Sequence, residues 1–257
     1  MRMLGLKWLV LASMTIGMAA VAAAAQNHFI GEWKLNPQKS RMPDEMKIES
    51  KGGNTYSFNF DGTPEIIVAD GTDQPGVQGT TLAVKADGPD SWIVERKIGG
   101  KLLIRATWKL SKDGSTLTDF FREFVPDGST MSMDYIYQRN GGGSGIVADW
   151  RSIKETMNSP STLQVKAYQG DGLTFIMTPL LLVPKNVKFD GKDYPSPDGS
   201  TSSIRQVDEH TLEMTDKAGG KVVDTQEIVI SPDGKTLMIT VHAAGQREPN
   251  VYAFERG

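Results

Sequence analysis

The sequence predicts an all-β protein built as two tandem up-and-down antiparallel β-barrels of eight to ten strands each, and three observations lead there. Fragments recur at a fixed step of 120 positions: DGTDQPG at Asp70–Gly76 returns as DGKDYPS at Asp190–Ser196, GGK at Gly99–Lys101 returns at Gly219–Lys221, and SKDGSTL at Ser111–Leu117 returns as SPDGKTL at Ser231–Leu237. An internal duplication follows. Apolar and polar residues alternate through run after run, the period of a half-buried strand. Turn-forming pairs such as Asp61-Gly62, Asp87-Gly88, Gly99-Gly100, Asp113-Gly114 and Asp127-Gly128 separate these runs at short, regular intervals, as hairpin connections require.

Taken in order, residues 1–25 read as a signal peptide. Arg2 and Lys7 accompany the start of an apolar stretch, Trp8–Val21, and Ala23-Ala24-Ala25 offers a cleavage site before Gln26. The expected location is therefore the periplasm or the exterior, with no membrane span left after the cut behind Ala25. Residues 26–139 are the first barrel. In it, SWIVERKI puts Trp92, Val94, Arg96 and Ile98 on one face, KLLIRATWKL does so with Leu102, Ile104, Ala106, Trp108 and Leu110, and TMSMDYIYQR with Met131, Met133, Tyr135, Tyr137 and Arg139. The low-complexity NGGGSG at 140–145 is expected to be a flexible linker between the copies. Residues 146–257 are the second barrel, with the same rhythm from STLQVKAY through TLEMTDK, KVVDTQEIVI and TLMITVHA to NVYAFER. A meander this long must close on itself to bury its apolar face and remove its edges, because no long amphipathic helix is there to serve as a second layer. The repeat is too long, and its copies too few, for a propeller. The strands also lack the outward apolar band of an outer-membrane barrel.

Composition narrows the function classes. Net charge is −3, with 39% hydrophobic and 23% charged residues and no cysteine. No basic stripe points to nucleic acid, and the missing thiols exclude disulfides, a lipoprotein anchor and thiolate metal sites. His28, His210 and His242 lack the spacing of a metal site. Asp70 and Asp73, like Asp190, Asp193 and Asp198, sit in turns whose pattern does not fit a calcium loop, so they read as turn chemistry. No serine stands in a nucleophile elbow. No metal, no cofactor and no enzymatic activity are expected; an enzyme would need titratable groups with shifted pKa values converging in a cavity.

The ends of the copies carry the most specific pattern. The first opens FIGEWKLNPQKS around Trp33 and closes DYIYQR at Arg139; the second has VADWRS around Trp150 and closes VYAFER at Arg256. This pairing resembles the calycin superfamily of lipocalins, fatty-acid-binding proteins and avidins, in which a G-x-W strand packs beneath a cation from the last strand. GEWKLNPQKS with FDGKDYP, GGK and SPDGKTL is similar, more narrowly, to secreted bacterial lipocalin-like proteins of unassigned activity. The second copy departs from it, with Ala148 for the glycine and no LNPxKS after Trp150. The resemblance implies Trp33, Arg139, Trp150 and Arg256 as barrel-closing residues and a barrel able to enclose an apolar cavity; it implies no reaction.

Two inward-facing arginines sharpen the expectation. Arg96 shares a face with Trp92, Val94 and Ile98, and Arg122 with Phe120 and Phe124. A buried cation needs a partner, which is either an anionic headgroup or a neighbour such as Glu95 or Glu123. The repeat replaces them with Asp216 and His242, so an anion site belongs to the first barrel alone. Trp108, Met131, Met133, Tyr135 and Tyr137 are the candidate cavity lining. The expected function is a secreted or periplasmic binding protein for a small apolar or amphipathic ligand. The alternative is a non-catalytic interaction or envelope-structural module with side-chain-filled barrels.

Overall fold

The computed structural model describes residues 27–60, 62–125, 128–178, 184–196 and 199–257; residues 1–25, expected to be a signal peptide, and the turn residues Asp61, Asp127 and Asp198 lie outside them. Twenty strands run in chain order: β1 Gly31–Leu35, β2 Glu45–Gly52, β3 Thr55–Asn59, β4 Glu65–Val68, β5 Gln74–Pro75, β6 Thr80–Ala86, β7 Ser91–Ile98, β8 Lys101–Leu110, β9 Thr116–Phe124 and β10 Thr130–Asn140. They continue as β11 Ala148–Met157, β12 Thr162–Tyr168, β13 Gly172–Thr178, β14 Lys185–Lys188, β15 Tyr194–Pro195, β16 Ser200–Gln206, β17 Thr211–Ala218, β18 Lys221–Ile230, β19 Thr236–Ala243 and β20 Asn250–Arg256. The fold is nearly all-β, with two antiparallel, nearly closed ten-stranded sheets. Among the described residues no helix is long and apolar enough to cross a membrane.

Sheet membership does not follow the division at the glycine-rich stretch. The first sheet runs β4-β3-β2-β11-β10-β9-β8-β7-β6-β5 and the second β14-β13-β12-β1-β20-β19-β18-β17-β16-β15. The G-x-W strand β1 therefore sits in the second barrel, with Trp33 opposite Leu163 of β12 and Arg256 of β20. Strand β11 closes the first barrel, with Trp150 opposite Met46 of β2 and Arg139 of β10. The first barrel is thus one continuous segment lying between β1 and β12 of the second. The NGGGSG stretch is not a tether between barrels but the loop of the β10–β11 hairpin, and the crossings between barrels are residues 36–44 and 158–161. Loop closure favours this outcome: a strand following β10 after a short loop docks at a lower entropic cost than one placed far upstream.

The expected cation–indole stacking forms in both barrels, with the partners crossed. Arg256 lies 4.1 Å over Trp33, and Arg139 lies 4.5 Å over Trp150. The recurring S-x-D-G turn holds each arginine in place. Asp113 orders its turn by accepting from Ser111 and Ser115, which leaves Gly114 O to accept from Arg139 Nε at 2.6 Å. Asp233 and Gly234 do the same for Arg256 at 2.7 Å. Each terminal guanidinium nitrogen also meets a carbonyl: Val147 and Gly145 for Arg139, Ile30 and His28 for Arg256. Stacked and hydrogen-bonded through all three of its nitrogens, each cation plugs its barrel end. The LNPxKS segment after β1 is the crossover itself: Ser40 Oγ accepts from Ala253 N, and Arg41 bridges to Val251 of β20. That role explains why nothing like it follows Trp150, where β11 simply continues.

The DGTDQPG turn forms the barrel seam. Gly71 N donates to Val84 O at 2.9 Å, and the Gln74 side chain both accepts from and donates to the Val68 backbone, so a side chain completes the ladder between β4 and the next strands. Asp70 accepts from Thr72, and Asp73 pairs with Lys97 at 2.9 Å; in the repeat, Asp190 accepts from Lys192 N and Asp193 pairs with Lys217 at 2.8 Å. These aspartates are occupied as turn and seam residues.

Each barrel has its own apolar core, and a third cluster lies between them. Met42, Met131, Met133 and Met157 pack there with Leu35 of β1 and Tyr252 of β20. Met131 and Met133, expected to line a cavity, pack in this cluster, against Phe121 and Tyr135 as well as Leu35 and Tyr252, and are not among the residues around the first barrel's cavity. Met suits this irregular space because its unbranched side chain adapts to the shapes of both walls.

Candidate ligand cavity in the first barrel

The inward rows of β8, β9 and β10 set the chemistry of the first barrel. Antiparallel register places Trp108 opposite Asp119, and Asp119 opposite Tyr135. Because side chains alternate across the sheet, Leu117, Asp119 and Phe121 of β9 face inward, whereas Phe120, Arg122 and Phe124 face out. The result is a cavity of about 310 Å³, with Trp108, Phe121, Tyr135, Tyr137 and the half-exposed Phe60 around Asp44 and Asp119. Ligand pockets start at about 300 Å³, so the space suits one compact molecule.

Four of the seven residues expected at the site meet there: Arg96, Trp108, Tyr135 and Tyr137. Arg96 is nonetheless no anion clamp. Its guanidinium makes a two-pronged contact with Glu65, at 3.0 and 2.7 Å, and adds a bond to Thr80 Oγ1 at 2.8 Å. Glu65 also accepts from Val77 N at 3.0 Å, and Gly76 lies so close that a Cβ there would be 2.5 Å from Glu65 Oε1. The charge is neutralised inside the wall, by a partner on β4 and not by Glu95 or Glu123. The second barrel repeats the arrangement with reversed sign: Lys185 pairs with Asp216, which also accepts from Ser202 and Gln226. Arg122 stands outside the cavity, where it bonds the Phe121 carbonyl at 2.7 Å and pairs with Asp134 at 3.3 Å.

One acid buried in this cavity, Asp119, is not among the residues expected at the site. Asp119 is only 6% exposed, and its Oδ1 has no hydrogen-bond partner among the described residues; the same holds for the indole Nε1 of Trp108, 1% exposed. Burial pushes the Asp119 carboxyl up from 3.8 to about 7, helped by the carboxylates of Asp44 and Asp134. The Trp108 N–H lies near enough to the carboxylate to oppose the shift, though outside hydrogen-bond geometry. Asp44 accepts from Tyr137 Oη at 2.5 Å. Burial, followed by the charges of Asp44 and Asp119, raises both Tyr135 and Tyr137, so they remain neutral hydroxyls. A signal for Asp119 existed in TLTDFFREF: strict alternation from the buried Leu117 puts Asp119 inside. The aromatic pair beside Arg122 drew attention to the wrong face.

The second barrel's cavity is smaller, about 220 Å³, and its acids have partners: Asp216 as above, and Asp224 accepting from Gln226 at 2.9 Å. Where the first barrel has Asp119 the repeat has Ile239, and Ser161 stands ahead of Leu163 of β12 as Asp44 stands ahead of Met46 of β2. No protein-family profile matches the chain, and no curated protein does.

Proposed function

We propose that the protein is a secreted or periplasmic binding protein that holds one small amphipathic ligand inside its first barrel, on a calycin-like frame. The observation that carries this reading is the unfilled interior of that barrel, apolar over most of its wall yet containing buried polar atoms, Asp119 Oδ1 and Trp108 Nε1, without hydrogen-bond partners among the described residues. Buried polar groups are ordinarily satisfied, and leaving one unmade costs about 1–3 kcal/mol. A bound molecule would offset that cost. The leader-like residues 1–25 and the stacked Trp–Arg closures of both barrels support the location and the frame.

Fluorescence enhancement of N-phenyl-1-naphthylamine, an apolar probe that is uncharged at neutral pH, tests the reading. The full chain should bind it, and Ala106→Trp, which fills the cavity from β8, should abolish binding with the circular dichroism unchanged. Absent enhancement, or enhancement that Ala106→Trp leaves intact, refutes the proposal and favours a module with filled barrels.

A second reading rests on Asp119 alone. A carboxyl in a cavity, titrating near neutrality beside Asp44 and Tyr137, has the properties of a general acid or base, which is the feature an enzyme would have to show. Loss of any detected turnover in Asp119→Asn, with probe binding retained, would establish that reading over the carrier.

A further inference from the structure

We infer that the ligand of the first barrel is an organic cation, a compact amine whose ammonium group meets Asp119 while its apolar body lies among Phe60, Phe121 and Tyr135. The inference rests on the binding reading above and adds the chemical class of the ligand.

The charge balance of the cavity wall carries the argument. Arg96 and Glu65 cancel each other at 2.7 Å. Glu155, whose side chain is 3% exposed, is held by Ser152 Oγ at 2.5 Å and faces Arg41 at 3.8 Å. Asp134 has Arg122. That leaves Asp119, whose buried Oδ1 has no hydrogen-bond partner among the described residues. Among the described residues of the lining, the one arginine is already paired with Glu65 and does not balance Asp119. An isolated buried carboxylate is disfavoured until an opposite charge arrives, and a ligand ammonium supplies both that charge and a donor for Asp119 Oδ1. The aromatic wall adds to the preference, since ring faces attract cations and do so more strongly when water is displaced. Fatty acids and other anions, the ligands an inward arginine would have favoured, meet the wrong sign here.

A protonation signature follows. An amine near the lysine value of about 10.4 stays charged up to pH 8. Asp119 must be ionised to pair with it, and its carboxyl is raised to about 7 in the empty cavity. Affinity should therefore be greatest above pH 7 and fall as pH drops through that value. Binding near pH 7 should release a proton. The groups facing Asp119 as it ionises are Trp108 on β8, Tyr135 and Tyr137 on β10, and Asp44 ahead of β2; Asp134 and Arg122 act from the outer face.

Isothermal titration calorimetry of the full chain with three matched probes decides the matter: 2-phenylethylamine, neutral 2-phenylethanol and anionic 3-phenylpropionate. The amine should bind at least about tenfold more tightly than the alcohol at pH 8, with the acid weakest. That advantage should vanish in Asp119→Asn and shrink about tenfold at pH 5.5, while Arg122→Ala keeps it. Equal or tighter binding of the alcohol or the acid overturns the cation inference and leaves the cavity reading standing. If none of the three binds and N-phenyl-1-naphthylamine also fails, both readings fall together. A stably folded Asp119→Asn that retains the full amine preference also overturns the inference.

Discussion

Asp119→Asn should raise the stability of the unliganded protein, and by an amount that depends on pH. The carboxyl of Asp119 is raised from 3.8 to about 7, a shift of roughly 3 units at about 1.4 kcal/mol each. The folded state therefore holds this proton more tightly than the unfolded chain does. Its contribution is fully present below the unfolded value and is lost as pH rises through the folded one, so that above pH 7 an ionised Asp119 costs the fold on the order of 4 kcal/mol. Asparagine keeps the shape and cannot ionise. In urea denaturation followed by tryptophan fluorescence, to which the first barrel contributes Trp92, Trp108 and Trp150, the margin of Asp119→Asn over the parent should be small near pH 4. It should grow by about 3–4 kcal/mol up to pH 8. Stability curves for the two proteins that run parallel from pH 4 to 8 would show that Asp119 is not the buried acid described here.

Other expectations concern the frame. Gly143 has φ +130°, and a Cβ there would lie 1.9 Å from Val147 O, whereas one on Gly142 would meet nothing within 4 Å. Gly143→Ala should thus cost at least about 2 kcal/mol and Gly142→Ala almost nothing; equal effects in thermal unfolding would restore the flexible-tether reading. Glu65→Lys and Arg96→Asp should each cost about 3–5 kcal/mol by stranding a buried charge. The double variant, which copies the Lys185–Asp216 polarity of the second barrel, should recover most of that loss in denaturant titrations, and a cost equal to the sum of the singles would contradict the account. Deleting residues through Leu35 removes Trp33 and β1 from between β12 and β20. Hydrogen exchange should then accelerate in β12 and β20 while β10 and β11 keep their protection, and the reverse pattern would refute the exchange of strands.

Much of the architecture was legible because it is written in local terms. Period-2 alternation and Asp-Gly turns specify strands and hairpins residue by residue, and the 120-position repeat announces two barrels. The stacking of arginine on indole could also be anticipated from the chain ends. Which tryptophan meets which arginine could not, because β1 and β11 carry similar patterns and the choice between them is made by loop length and competition for one seat beside β10. Sharing a face misled at Arg122, since alternation separates two faces without saying which is inside; the buried Leu117 and Asp119 settle that only once β9 is set between β8 and β10. The neutralisation of Arg96 was hidden for a related reason: Glu65 lies 31 positions away, and only closure of the barrel brings β4 against the β6–β7 side. By itself, then, the sequence determined the strands, their turns, the duplication and the stacked ends, all products of short-range periodicity and turn chemistry. The tertiary structure decided the exchange of β1 and β11, the pairing of the inward charges and the isolation of Asp119. Those depend on which distant strands become neighbours when the sheets close, and on how little water is left between them.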